Sequence, residues 1–167
     1  LTILLTSCDK EGKPNVMTVA WITPAQDEPP VVAFSVGKDS LTYRNLLETK
    51  EFVVNIPSIG MLSAVWVCGT KSGKKVDKFR ASGLKASKSK SVRPPRVEGC
   101  VAYLECRLLK RIELEESALI LGKVLRAEVS EELFDAKKSI YDAKKFKPIL
   151  HLGGRYFTTT SGILRRA

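Results

Sequence analysis

The chain has one histidine, His151, and no two of its four cysteines (Cys8, Cys68, Cys100, Cys106) form a C-x-x-C pair. A zinc site needs about four closely placed nitrogen or sulfur ligands, so no metal site is expected. The cysteines read as buried or half-buried free thiols of a reducing cytoplasm. Cys100 and Cys106, six residues apart, would share one face of a strand, too far apart to bridge. No apolar run approaches the roughly 20 residues that span a bilayer. The opening Leu1-Thr-Ile-Leu-Leu5 lacks the charged start and cleavage site of a secretory signal. A cytoplasmic protein without a membrane partner is therefore expected. There is no G-x-S-x-G elbow, no Walker A loop and no G-x-G-x-x-G fingerprint, which argues against a serine hydrolase, a P-loop enzyme and a Rossmann domain.

Acidic residues are few: 18 against 28 lysines and arginines, a net charge of +10. Such a balance favours anionic partners. The excess is concentrated between Lys71 and Arg96, which holds ten basic residues, one acid (Asp77) and one aromatic (Phe79). Single-strand binders interleave stacking rings with their cations, so the run reads first as a solvated basic loop, with nucleic acid a weak alternative.

Of the 167 residues, 44% are apolar, enough for one domain, 1–167, with a sizeable core. Strand signals dominate. Ile3–Ser7 is short and β-branched, and Asp9–Pro14 has turn chemistry. Asn15–Thr23 reads as a second strand, with Val16, Thr18, Ala20 and Ile22 on one face. Val31–Val36 and Phe52–Ile56 read as buried strands. Cys100–Ile112 and Ala118–Val129 read as a long hairpin joined by Glu113–Glu116. Many short strands in succession suggest a barrel or sandwich. Thr42 is a plausible helix N-cap, with Leu41 and Leu46 at the staple positions. Gly60–Val67 is a short helix candidate, Phe134–Lys147 has helical spacing, and Ser82–Pro95 reads as a long surface loop.

Two segments could carry chemistry. In Ser35-Val-Gly-Lys-Asp-Ser-Leu-Thr42 a buried strand runs into a glycine, a lysine and hydroxyls, then opens a helix. Helix N-termini present free N–H groups and partial positive charge, so Lys38, Ser40 and Thr42 could cradle a phosphate; the same residues also suit a plain strand-to-helix turn. In Asn15-Val-Met-Thr-Val-Ala-Trp21 the backbone amides and Thr18 could line a flat heterocycle near Trp21, or simply build a strand. Glu105 could be the buried partner of a basic residue.

These segments stand in order with Pro29-Pro-Val-Val-Ala-Phe-Ser-Val-Gly37, Glu51-Phe-Val-Val-Asn-Ile-Pro57, Ser72-Gly-Lys-Lys-Val-Asp-Lys-Phe79, Glu98-Gly-Cys-Val-Ala-Tyr-Leu-Glu-Cys106 and Leu150-His-Leu-Gly-Gly-Arg-Tyr156. The series resembles the flavin reductase-like family, its flavoredoxin-type members in particular, over nearly the whole chain. The resemblance implies a mainly β fold, a Greek-key split β-barrel with a few short peripheral helices. It also implies a homodimer with FMN near the subunit interface. Its phosphate would lie by Lys38, Ser40 and Thr42. Its ring would lie along Asn15, Met17, Thr18, Val19, Ala20 and Trp21, helped by Ser35, Val36, Asn55 and Pro57. Ser72, Lys78 and Phe79 would close over it, with Lys78 near the pyrimidine edge. No catalytic side chain is assigned.

The implied activity is that of an NAD(P)H-dependent flavin or ferric reductase, or of an electron-transfer protein with a redox partner protein. Many such reductases carry Gly-Asp-His in the hairpin where this chain has Glu115-Glu-Ser-Ala118, and that histidine helps place the nicotinamide. An FMN carrier or sensor without NAD(P)H oxidation is therefore the alternative, and a basic nucleic-acid-associated barrel a third. His151, the one histidine, could stand in for that residue, but the preferred reading is that it caps the turn before Gly153-Gly154.

Overall fold

The computed structural model describes residues 1–163; residues 164–167, the end of the expected domain, lie outside the described residues. In chain order the elements are β1 (Ile3–Cys8), β2 (Pro14–Val19), β3 (Ile22–Gln26), β4 (Val31–Gly37), α1 (Leu41–Thr49) and β5 (Glu51–Ile56). A 3-10 turn at Ile59–Met61 leads into α2 (Leu62–Thr70), followed by α3 (Lys78–Ser82), β6 (Ala86–Ser87) and β7 (Arg96–Val97). The long strands β8 (Ala102–Glu113) and β9 (Ser117–Val129) precede two small hairpins: β10 (Phe134–Asp135) with β11 (Ile140–Tyr141), and β12 (Leu150–Gly153) with β13 (Tyr156–Thr158).

Seven strands form one antiparallel sheet in the order β2-β1-β5-β8-β9-β4-β3. Its two edge strands, β2 and β3, are joined by Ala20 and Trp21 alone. A link that short spans roughly 10 Å at full extension, so the edges must meet and the sheet must roll into a barrel. The barrel is thus split where β2 hands over to β3, which divides the single strand expected over Asn15–Thr23.

Alternation along the strands sorts residues into two cores. Leu5, Val19, Phe34, Val54, Cys106 and Ile120 point into the barrel, where Phe34 and Phe52 meet edge to face at 5.2 Å. A Cβ on Gly122 would stand 2.2 Å from Phe52 Cζ, so only glycine lets the ring lie against β9. Leu4 and Val16 point the other way and pack under α2 and α3 against Val65, Cys68, Phe79, Val97, Cys100 and Ile149. This outer layer fixes α2 beside β2, and a cleft forms there.

Several expectations need correction. Ser40, not Thr42, caps α1: its Oγ accepts from Tyr43 N at 3.0 Å, and Leu41 is already helical. Phe134–Lys147 is not a helix. Asp135 Oδ1 accepts from the N–H groups of Lys137 and Lys138, and Asp142 Oδ1 from those of Lys144 and Lys145. Such local side-chain bonds compete with helical ones, and Phe134, Tyr141 and Phe146 cluster on the resulting turns. Cys100 and Cys106 do not share a face: Cys100 precedes β8 and enters the outer core, whereas Cys106 enters the barrel. All four cysteines are free and buried. Among the described residues no helix is long and apolar enough to cross a membrane.

Candidate functional site

Among the described residues no strand pairs with the outer edge of β2. Instead that edge faces the N-terminus of α1 on one side and the end of α2 with the start of α3 on the other. Asn15 Nδ2 donates to Thr42 Oγ1 at 2.8 Å and ties β2 to the first turn of α1. Gly73 lies flat on that amide; a Cβ there would stand 2.3 Å from Asn15 Oδ1. Thr18 Oγ1 donates to Val65 O, and a Cβ on Gly69 would lie 3.2 Å from Thr18 Cβ, so α2 sits close against the strand.

These contacts leave a cavity of about 280 Å³ that gathers Asn15, Met17, Thr18, Ser40, Thr42, Ser72 and Lys78. Its charge is unusual. Lys78 is 6% exposed, and its ammonium donates to one protein acceptor, Cys68 O at 2.9 Å. No carboxylate lies within 4 Å of it among the described residues. Burial holds its pKa below the usual lysine range, slightly countered by the Cys68 thiol. A buried cation with spare donors, facing hydroxyls and a helix N-terminus, suits an anion.

Next to it, sharing Thr18, Gly69 and Thr70, is an apolar groove of about 350 Å³, walled by Ala20, Val65, Trp66, Phe157 and His151. Trp66 and Phe157 meet edge to face at 6.3 Å, and His151 lies 4.9 Å from the Phe157 ring. His151 Nε2 also contacts Gly154 O at 3.1 Å. The histidine therefore closes the turn, as its position suggests, and lines the groove as well. A polar, cationic end and an apolar end share one trough along β2.

Other expected residues stand elsewhere. Lys38 Nζ donates to Leu114 O at 2.8 Å and pairs with Glu113 at 3.5 Å, at the tip of the β8–β9 hairpin. Glu113 also accepts from Tyr43 O–H at 2.8 Å, and that bond holds its carboxyl below the usual range. Asn55 is fully buried, donating to Leu4 O and accepting from Val97 N, so it pins β1, β5 and β7 together. Pro57 is buried at the end of β5. Val19 and Val36 point into the barrel, and Phe79 belongs to the outer core. Ser35 N donates to Trp21 O at 3.1 Å, and Trp21 is 78% exposed. Trp66, Gly69, Thr70 and Phe157 were not among the expected residues. The small pair Gly69-Thr70 at the end of an apolar helix is the one local hint of them.

Across the sheet, the second half of the basic run is tied down. Glu105 is fully buried and accepts from the N–H groups of Lys90 and Ser91 and from Arg96 Nε. Burial pushes its carboxyl up, but those donors outweigh it and hold the pKa low. Arg96 bridges on to Glu128, which also pairs with Lys90 and Arg126. The expected surface loop Ser82–Pro95 is thus corrected in part: Ser82 ends α3, Ala86–Ser87 forms β6 against β7, and the rest is fastened to β8 and β9, with Ser89 buried.

The model of the flavin reductase like domain matches residues 2–160. The chain belongs to that family. This flavin reductase-like chain is 35% identical over 150 residues to an uncharacterized protein of Archaeoglobus fulgidus, covering 89% of the chain and 82% of that relative. It is 30% identical over 128 residues to a flavin reductase of Pseudomonas putida, covering 77% and 72%. It superposes on the flavoredoxin of Desulfovibrio vulgaris (Miyazaki F) with a TM-score of 0.89 and 26% identity, covering 99% of this chain and 89% of that one. The split-barrel fold is shared with such structural neighbours. The flavin reductase-like chain is thus a flavin-related redox protein.

Proposed function

We propose that the trough along β2 holds FMN and that the chain is an FMN-dependent redox protein. The observation that carries this reading is the buried ammonium of Lys78 in a cavity that shares Thr18, Gly69 and Thr70 with the apolar groove beside Ala20. Lys78, Ser40, Thr42 and Ser72 would hold the phosphate, and the edge of β2 with Trp66 and Phe157 would hold the ring. Lys78 then acts at the phosphate end rather than at the pyrimidine edge, and Lys38 takes no part. When bound, FMN would supply the redox chemistry, hydride and electron transfer between NAD(P)H and free flavin, a ferric complex or a partner protein. This chain's residues bind and orient: the β2 edge offers backbone donors, and the apolar walls exclude water from one face of the ring.

The groove is open, and Trp21, Leu152 and Tyr156 near it are strongly exposed. A second copy of the chain, as in the homodimer implied by the resemblance, would cover such a surface in a cytoplasmic protein. Carriage of FMN without NAD(P)H oxidation remains the second reading, because the hairpin tip at Glu113–Ser117 offers no histidine and its Glu113 is occupied by Tyr43 and Lys38.

The test is the visible spectrum of the purified protein, followed by anaerobic addition of NADH or NADPH. A bound two-band flavin spectrum that bleaches supports the reductase. A bound flavin that stays oxidised supports the carrier or partner-fed reading. No retained flavin, and none taken up on adding FMN, overturns the proposal.

A further inference from the structure

Adjoining the trough, and sharing Asn15, Leu41, Gly73 and Lys78 with its polar end, is another cavity, of about 570 Å³, between the start of β2, α1 and the stretch from Gly73 to Ala86. Its cations are Lys13, Arg44, Lys74, Lys75 and, in the shared wall, Lys78. Its two carboxylates are already engaged by backbone: Asp9 Oδ1 accepts from Lys13 N at 2.8 Å, and Asp77 Oδ1 caps α3 by accepting from Arg80 N at 3.1 Å. Neither lies within 4 Å of a lysine or arginine nitrogen among the described residues, and Arg44 alone of the rim has an acid nearby, Glu48 at 4.0 Å. The floor is apolar, with Leu41, Val76, Phe79 and Leu84. Cations around an enclosed apolar floor fit a small organic anion. A nucleic-acid strand would want stacking rings on an open surface instead.

We propose that this cavity is a second ligand site, for an organic phosphate of the nucleoside diphosphate class. The phosphates meet the rim lysines, and the organic part covers the floor. Only its adjacency to FMN rests on the reading of the β2 trough. The cavity shares Asn15, Leu41, Gly73 and Lys78 with the polar end of that trough, and its occupant is proposed to bind alongside the flavin rather than in its place.

The test titrates the FMN-loaded chain with ADP and, separately, with inorganic pyrophosphate, read by amide NMR and by the flavin spectrum. ADP is expected to shift Gly73–Val76 and Leu84 while flavin stays bound, and to bind about tenfold tighter than pyrophosphate because of the floor. The exposed double variant K74E/K75E is expected to weaken ADP by about tenfold and to leave FMN affinity within about threefold. Unshifted amides at millimolar ADP, shifts confined to other segments, or release of FMN by ADP would each overturn the second site. Equal affinity for pyrophosphate would overturn the nucleoside class. If the chain takes no FMN, the same titration on the free protein still tests this cavity, and only the flavin reading falls.

Discussion

Lys90, Arg93 and Arg96 each meet a carboxylate, whereas Lys71, Lys74, Lys75 and Lys78 meet none within 4 Å among the described residues. Both groups belong to one basic run in the sequence. The difference is what stands opposite: β5, β8 and β9 bring Glu51, Glu105 and Glu128 to Lys90, Arg93 and Arg96, while β2 and α1 bring hydroxyls and helix N–H groups to the earlier half. Net charge alone could not separate the two. In the fastened half the positive charge is structural. In the open half it is available to a ligand.

The sharpest way to break the fastened half is Arg96→Met. It leaves Glu105 buried without its cation, and removing one partner of a buried pair costs about 3–5 kcal/mol. Urea unfolding should show that loss, with flavin affinity in the surviving folded protein little changed. Acid should act on the same contacts. The Glu105 and Glu128 carboxyls are held below their unfolded value of about 4.3, so their contribution is complete above that pH and is lost as pH falls through the folded values. The urea midpoint of the parent should therefore drop more steeply than that of Arg96→Met between about pH 6 and about pH 3.

In the open half, Lys78→Met should weaken FMN about tenfold to hundredfold, read by flavin fluorescence. The cofactor-free variant should be no less stable than the parent. A lysine whose folded pKa is lowered destabilises the fold while charged, and that penalty fades as pH rises toward its unfolded value of about 10.4. A large loss of stability in Lys78→Met would mean that its charge is structural, and the contrast between the halves would fail. Smaller effects test its edges. Arg93→Ala removes an exposed pair with Glu51 and should cost less than about 1 kcal/mol in the same unfolding assay. Lys38→Met should change FMN affinity by less than about threefold, because its side chain is engaged at the hairpin tip.

The strand order of the chain was largely legible from residue pattern. Alternation and β-branched residues marked β1, β4, β5 and the β8–β9 hairpin, since those strands bury at least one face. The Phe134–Lys147 spacing misled because aromatic residues a helical interval apart can also cluster on turns. The polar end of the trough was partly legible, because Ser40, Thr42 and Lys78 lie in local motifs. Of its apolar end, Thr18 and Ala20 on β2 were named from the sequence, but the walls opposite them were not. Trp66 and Phe157 reach the groove only through the packing of α2 and β13, and no local pattern encodes a meeting between residues that far apart. Lys38 and Lys78 are alike as residue types, and which one faces the cavity is decided by the hairpin tip that captures Lys38.

The β8–β9 hairpin also bears on how the molecule comes together in time. Its strands are joined by Leu114–Glu116 and can zip from that turn outward, whereas Gly37 must find Ser117 and Leu4 must find Asn55 across much longer loops. Local closure is fast and distant closure slow. The hairpin is therefore expected to serve as the early template, with β4 adding on one flank and β5 then β1 on the other. The trough needs β2, α1, α2 and α3 in place around that frame. The β1–β2 hairpin is closed just as locally through Asp9–Lys13, so what is expected to be completed last is the packing of α1, α2 and α3 around β2, where FMN is proposed to bind.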